Sequence, residues 1–530
     1  MFFKKCHTPE KIVSPFKRSD ESGEDAPVCR KTENDEIFPA FSEAGDEDSF
    51  AVFVPFVVLF AEIRRLSEQL QRTTDQNRSL TNLVEEKDAR IKELEERLRQ
   101  DSHNSHKPPS TDGYRKPAPK KRSLRTKSDK KSGGQAGHDG TTLRQTETPD
   151  FVEIHAPETC TCGADLSQTP VHSEEIRQVF ELPEPRLDVT EHRIVEKICP
   201  SCRKKVAGVP PKNVTAPVQY GERFLSFLAY ANVDQAIPLA RVRRFAQDLF
   251  GASVSCGTIR SASKKLRGHL SGFLEALRSH LKKAPVMGAD ESGIRVVGKL
   301  MWLHVHSTPD ATLYGVHEKR GKEGSDSLGV LPEFKGILVH DCWKTYFTYD
   351  NIKSHQLCCI HLIRELVAAT ENDGMRWSEE MGDFLSRAIG NPARPLPTPE
   401  QESLSKEYDT VISRGQAELG PDPEPAPGKK RVKRGKSQNL FGRLKTFKEF
   451  VLTFTKVEDV PPTNNGSEQD VRKGKIQQNV SHCFRTKEGA SLYFDIMSYI
   501  VTLRKNDVNI FSGIVSAMKG KPVIPFSRDD

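Results

Sequence analysis

Three acidic positions, far apart in the chain, have the residue types needed to hold hard metal ions. Asp290 lies in Val286-Met-Gly-Ala-Asp-Glu-Ser-Gly293, where an apolar run breaks into polar residues. Asp341 has the same place after its own apolar run in Gly336-Ile-Leu-Val-His-Asp-Cys-Trp343. Glu468 closes Pro461-Pro-Thr-Asn-Asn-Gly-Ser-Glu468, at the start of an expected helix. Two strand-end aspartates and a helix-borne glutamate form an oxygen donor set for Mg²⁺ or Mn²⁺. Two such ions can activate a hydroxyl and stabilise the leaving oxygen of a phosphodiester. Glu291 is the rival for the first position, because successive side chains of a strand face opposite ways and only one of the pair faces Asp341.

Basic residues stand near these carboxylates. Arg472 and Lys475 follow Glu468 by about one and two helical turns, so both share its face and are expected to contact phosphate. His361 and Arg364 sit on one side of a helix expected after Asp341 and could orient DNA. A zinc site made of Cys358, Cys359 and His361 lacks a fourth ligand in reach.

Four of the eleven cysteines make a second constellation. Cys160-Thr-Cys162-Gly and Cys199-Pro-Ser-Cys202 resemble two metal knuckles, and four thiolates would give closed, structural Zn²⁺ coordination. His155 and His192 are spare ligands, and residues from Val179 to Val195 alternate like a strand. Such a set fits a reduced compartment better than a disulfide framework.

The positioning elements follow from periodicity. From Pro285 the texture is strand-like: Val286–Ala289, Leu300–His306, Thr312–Glu318, then Gly336–His340 after a crossover. Three consecutive strands and a fourth beside the first are compatible with an RNase H-like mixed sheet, which would bring Asp290 and Asp341 together. The long stretch before Glu468 predicts a helical insertion, with a basic loop at Lys429-Lys-Arg-Val-Lys-Arg434 as a further DNA contact. Upstream, 220–282 is helical by period. Leu239–Arg260 reads as helix, Gly-containing turn and Ser-capped helix, the pattern of a helix-turn-helix.

Nearer the start, Ile63, Leu70, Asn77, Val84, Ile91 and Leu98 recur as a heptad, with Leu66, Leu80 and Leu94 in the companion set. This predicts a two-stranded coiled coil with Asn77 as its register-fixing polar residue, and hence a homodimer or higher oligomer. Residues Arg115–Lys131 are dense in Lys and Arg and suit phosphate contacts.

Overall balance is mild: 80 basic and 73 acidic residues among 530 give +7, so the distribution of charge matters more than its sum. No signal peptide is legible, and the apolar run at 50–60 is short of the roughly 20 residues that span a bilayer. The expectation is a cytoplasmic protein with no membrane partner.

The ordered series of motifs resembles the bacterial transposases of the insertion sequence 66 family, of Asp-Asp-Glu type. To those above it adds Ser105-His-Lys-Pro-Pro-Ser-Thr-Asp-Gly113, Gly133-Gly-Gln-Ala-Gly-His138, Cys359-Ile-His-Leu-Ile-Arg364, Cys483-Phe-Arg-Thr-Lys-Glu-Gly-Ala490 and Ser498-Tyr-Ile-Val-Thr-Leu-Arg-Lys505. The resemblance extends over nearly everything after about residue 60. It implies metal-dependent DNA cleavage and strand transfer in a nucleoid-associated enzyme, acting on element ends, their terminal inverted repeats, and target DNA. Carried over, Asp290, Asp341 and Glu468 match the metal-binding triad. Thr463 and Gln469 depart from the family's usual residues at their positions.

The resulting organisation is an N-terminal extension (1–49), a coiled coil (50–100), a basic linker (101–150), a zinc-binding domain (151–215), a helical DNA-binding module (216–283), an RNase H-like α/β catalytic domain (284–515) with a helical insertion at about 372–460, and a tail (516–530). Competing readings are a metal-dependent nuclease of the same fold and an inactive or regulatory DNA-binding relative.

Overall fold

The computed structural model describes residues 47–100, 104, 143–421 and 434–526. The extension before residue 47, the basic run Arg115–Lys131, the two motifs at 105–113 and 133–138, and most of the Lys429–Arg434 loop lie outside the described residues. The chain divides into two units, Met1–Glu93 and Leu94–Asp530.

The first helix, α1, runs over Glu47–Arg99. Its heptad residues Ile63, Leu66, Leu70, Leu80, Val84, Ile91, Leu94 and Leu98 are all exposed along the helix. No helix among the described residues is long and apolar enough to cross a membrane.

In the second unit, a short hairpin of β1 (Glu196–Ile198) and β2 (Lys205–Ala207) carries Cys199 and Cys202 in its turn. The expected strand over Val179–Val195 does not form a ladder; these residues are largely exposed and unpaired in sheet terms until Glu196. Alternation alone does not make a strand where neither face finds a core to cover.

Four helices follow: α2 (Glu222–Val233), α3 (Leu239–Phe250), α4 (Cys256–His269) and α5 (Ser271–Lys283). Gly251 ends α3 in the left-handed region at φ 60°, which favours glycine, and the Ser255 hydroxyl caps α4 by accepting the Thr258 N–H at 3.0 Å. Phe224, Leu228, Val242, Ala246 and Ile259 close a small core among the first three of these helices.

A five-stranded sheet comes next: β3 (Val286–Val296), β4 (Lys299–Ser307), β5 (Thr312–His317), β6 (Ile337–His340) and β7 (Ser354–Leu357), with the short α6 (Lys322–Asp326) before β6. Their spatial order is β5-β4-β3-β6-β7. Only β4 runs against the rest, since β3 pairs antiparallel with β4, β4 antiparallel with β5, and β3, β6 and β7 pair in parallel. This mixed α/β arrangement is compatible with the RNase H-like architecture expected from the strand pattern. Strand β6 is buried throughout, with Leu338 in one core and Ile337 in another, which accounts for its unbroken apolar run.

Beyond β7 come α7 (Cys359–Asp373), α8 (Arg376–Gly390), α9 (Thr398–Leu419), α10 (Lys436–Thr446), α11 (Lys448–Val451) and α12 (Thr453–Lys456), then α13 (Asn465–Ser481), α14 (Lys487–Lys505) and α15 (Ile510–Met518). The block α7–α12 packs around Leu366, Trp377, Phe384, Tyr408, Phe441 and Leu444, a core it shares with Ile337 of β6 and Leu357 of β7. The larger core joins sheet and flanking helices through Phe273, Leu303, Val305, Leu338, Phe494 and Tyr499. Each such fully buried side chain contributes roughly 1.5–3 kcal/mol of transfer free energy. Phe484 bridges the chain between α13 and α14 to the far end of β3, and Thr486 then caps α14 through the Gly489 N–H at 2.9 Å.

Candidate active site

Strand register decides how the first two carboxylates meet. Along the parallel β3–β6 ladder, Gly288 pairs with Val339. The ladder ends there, but the charge of Asp341 still raises the Asp290 carboxyl, so the two acids lie near each other beyond it. The expectation that Asp290 ends its strand needs correcting, because β3 continues to Val296. What ends before Asp290 is the pairing with β6; beyond it β3 is held by β4 alone, with Asp290 against Val305. Asp341 leaves β6 at a tight turn in which Cys342 adopts φ 68°, and the Trp343 N–H donates to Asp341 Oδ1 at 3.2 Å.

Burial pushes the Asp290 carboxyl well above the usual carboxylate range, and the charges of Asp341, Glu291 and Glu468 add to that push. Opposing that push, the Glu291 backbone N–H donates to Asp290 Oδ1 at 2.8 Å. A group of mutually repelling, buried carboxylates fits a site that accepts cations.

Glu291 has a different environment. Its Oε1 accepts from Arg320 Nε at 2.9 Å and its Oε2 from the Tyr346 hydroxyl at 2.6 Å. Burial and Asp341 raise its carboxyl, while Tyr346 and Arg320 hold it down. The Arg320 guanidinium also lies 3.8 Å from the centroid of the Trp343 ring, so it clamps the turn bearing Asp341 from behind. Glu291 is thus already satisfied by protein partners, whereas Asp290, on the opposite face of β3, is turned towards Glu468 and Lys475.

Glu468 arrives in the first turn of α13. Two contacts seat that turn on β3. The Asn464 side-chain amide donates to the Ala289 carbonyl at 2.8 Å, and Ser467 Oγ shares a hydrogen bond with Ser307 Oγ at 2.8 Å. Gly288 makes the approach possible: a Cβ there would fall 2.2 Å from Ser467 Oγ and 2.8 Å from Asn464 Oδ1. These packing roles of Gly288, Asn464 and Ser467 were not legible from the chain, although all three belong to the two motifs that mark the carboxylates.

Lys475 reaches back to β3, its Nζ donating to Ser292 Oγ at 3.0 Å. Burial lowers its ammonium pKa and the charge of Asp290 works against that lowering. Arg472 Nη2 is 3.3 Å from Glu468 Oε2, and its side chain is 63% exposed against 11% for Glu468, so it stands on the rim. His361 Nε2 lies 3.7 Å from Glu468 Oε1, and Arg364 is half-buried on the same helix, α7. Cys358 also faces Glu468, its Sγ 4.0 Å from Oε1, while Cys359 turns into the core beneath α7.

The helical block leaves and returns at one place: the Cys359 N–H donates to the Pro462 carbonyl at 3.0 Å, and the Asn464 N–H to Cys358 Sγ at 3.2 Å. A cavity of about 850 Å³ under the start of α13 is lined by Gly288, Val339, Ser467 and Lys505 among others, but by none of the three carboxylates.

Among the described residues, the metal-capable group whose ligand atoms all lie within 4.8 Å of one another is Cys358, His361 and Glu468. Asp290 interacts electrostatically with both Asp341 and Glu468, but neither aspartate is in that tighter set. Nor are the knuckle cysteines. Backbone N–H and side-chain contacts from Cys162 lower the Cys160 thiol, and those from Cys202 and Ser201 lower the Cys199 thiol.

A family model described as "Transposase IS66 family" matches residues 217–492, which include all three carboxylates. The chain belongs to the IS66 transposase family. This assigns it a transposase role and DNA as its partner. A second model, for a family of unknown function (DUF6444), matches residues 57–144, covering much of α1 and the basic segment after it. The cysteine pairs fall between the two matches, so the transposase match is narrower than the motif resemblance, which was read from about residue 60. No curated protein matches the sequence significantly.

Proposed function

We propose that this family member cleaves DNA at the ends of an insertion sequence and joins the freed 3′ ends to target DNA, using Asp290, Asp341 and Glu468 as its metal-binding triad. The observation that supports this reading is the parallel β3–β6 pairing, which lays the strands leading to Asp290 and Asp341 side by side, with Glu468 in the first turn of α13.

Two Mg²⁺ or Mn²⁺ ions, when bound, would supply a polarised nucleophile and a stabilised leaving oxygen. The carboxylates would hold them through oxygen ligands, of the kind hard cations require. Lys475 would neutralise the phosphate nearest Asp290, Arg472 would grip the strand at the rim, and His361 with Arg364 would orient the scissile segment from α7. Water is the nucleophile for cleavage; the resulting 3′ hydroxyl attacks in line during transfer, one phosphodiester bond forming as another breaks.

The surrounding segments support assembly at paired element ends. The exposed heptad face of α1 suits a coiled-coil homodimer, which would bring two active sites to two ends. Cys160, Cys162, Cys199 and Cys202 would hold one structural Zn²⁺, and the α3–α4 pair has the helix, turn and capped-helix form of a helix-turn-helix that could read the terminal inverted repeats.

Incubating the purified protein with Mg²⁺ and a labelled element end tests the reading. Strand cleavage and joining are expected, and Asp341→Asn should abolish both while still retarding the DNA. Unchanged cleavage by that variant would remove the triad. Cleavage without joining would favour a nuclease of the same fold.

A further inference from the structure

We infer that Cys358, His361 and Glu468 form a second metal site, selective for a thiophilic divalent ion such as Zn²⁺, which captures Glu468 and so competes with the hard-metal centre. The sequence alone pointed away from zinc here, because Cys358, Cys359 and His361 offered no further ligand. Two structural facts change that account. Cys359 is withdrawn, its Sγ lying 3.6 Å from the Leu357 carbonyl and 3.8 Å from that of Val451. Glu468, remote in sequence, takes its place from α13, and three protein ligands leave the fourth position of the tetrahedron to water.

The geometry suits a tetrahedral ion. Cys358 is the N-cap of α7 and His361 its third residue, so both stand at one helix end. Glu468 Oε1 is 4.0 Å from Cys358 Sγ and 3.7 Å from His361 Nε2, and the three ligand atoms lie within 4.8 Å of one another. Bonds of about 2.0–2.3 Å to S, N and O place neighbouring ligand atoms of a tetrahedron roughly 3.3–3.8 Å apart, close to the spacing found. The sulfur, nitrogen and carboxylate set discriminates by softness: Mg²⁺ is a poor partner for thiolate and imidazole, while Zn²⁺, Co²⁺ and Cd²⁺ accept both.

Binding exchanges a proton for the ion. The Cys358 thiol loses its hydrogen to solvent as the sulfur–metal bond forms, and no electron is transferred. The Asn464 N–H already points at the sulfur from 3.2 Å and would stabilise the thiolate. With Glu468 committed to this ion, the Asp290–Asp341 pair would lose its third ligand. The binding stands on geometry alone; the inhibitory consequence rests on the proposed role of Glu468.

Cobalt titration of metal-stripped full-length protein, read as the difference between wild type and variant so that the knuckle cysteines cancel, tests the site. Wild type should bind one Co²⁺ more than Cys358→Ser, with a thiolate-to-cobalt charge-transfer band that Cys358→Ser loses. His361→Gln should weaken binding by on the order of tenfold or more, and it is the check if the serine variant fails to fold. In parallel, added Zn²⁺ should suppress Mg²⁺-dependent cleavage by wild type, and Cys358→Ser should resist it. Equal cobalt stoichiometry and spectra in wild type and both variants would overturn the site. A cobalt band with no Mg²⁺-dependent cleavage would keep the site and sink the proposed triad chemistry.

Discussion

The side-chain amide of Asn464 holds the carbonyl of Ala289 at 2.8 Å, tying the cap of α13 to the strand residue just before Asp290. The bond is buried and fixes the helix that carries Glu468 against the strand that carries its partner. Asn464→Ala leaves the Ala289 carbonyl without that donor. A loss of about 1–3 kcal/mol of stability is expected, together with a fall in cleavage rate larger than the fall in DNA affinity. Thermal melts and a gel-shift assay measure the two effects separately, and equal losses in rate and affinity would refute the positioning role.

Gly288→Ala forces a Cβ to within 2.2 Å of Ser467 Oγ. Overpacking of this kind costs about 1–3 kcal/mol, and here the yielding element is the first turn of α13. The double variant Gly288→Ala with Ser467→Ala removes the nearer clash, although Asn464 Oδ1 still crowds the new methyl. It should therefore recover part of the lost stability and cleavage; no recovery would show that the strain lies elsewhere.

The neighbouring acids should separate by experiment. Asp290→Asn is expected to lower cleavage by on the order of 10²-fold or more while folding normally. Glu291→Gln weakens the contact with Arg320 but can still accept from Tyr346, so it should cost about 1–3 kcal/mol of stability and leave measurable Mg²⁺-dependent cleavage. The reverse pattern would make Glu291 the ligand.

Asp290 also gives a pH dependence of known sign. Its folded-state pKa is raised, so the native protein binds its proton more tightly than the unfolded chain does. That contribution to stability is full below the ordinary carboxylate value and is lost as pH rises through the raised one. Asp290→Asn has no such proton to lose. In metal-free buffer the variant's melting temperature should exceed that of wild type by a margin that grows with pH, and Mg²⁺ should close the gap by favouring the ionised acid. A margin that shrinks with pH would contradict the assignment of Asp290 as the strained carboxylate.

Leu70 and Leu80 lie on the exposed heptad face of α1. Replacing both with Glu should convert a dimeric or larger species to monomer in sedimentation velocity, and an unchanged mass would remove α1 as the assembly element.

What the chain made legible was local or periodic. The Gly251 turn and the Ser255 cap were visible because turn and capping chemistry sits within a few residues. The apolar runs foretold β3 and β6, and two motifs pointed to Asp290 and Asp341. The extent of β3 beyond Asp290 was not visible, since Glu-Ser-Gly reads as a turn unless β4 is known to pair through it. The partners of Glu291, at Arg320 and Tyr346, depend on the crossover and on the chain after β6, which no periodicity encodes. The same holds for Cys358 and Glu468, which a whole helical block separates in sequence. At the knuckles, spacing named four ligands, but the extended chain around them has no core to make its alternation a strand.

The bonds from Cys359 to Pro462 and from Asn464 to Cys358 close the helical block α8–α12 at its root, like the neck of a flask. Beyond that neck the helices pack around Trp377, Phe384, Tyr408 and Phe441 in a core completed by Ile337 of β6 and Leu357 of β7, and Glu468 is set by contacts on the near side of the neck. The last helix of the block is also tied to the sheet, the Thr453 hydroxyl donating to the His355 carbonyl and the Phe454 N–H to Gln356 Oε1, both at 2.7 Å. The inserted helices thus buttress the β6–β7 edge of the sheet, so the segment that separates Asp341 from Glu468 in sequence also braces the strand that leads to Asp341.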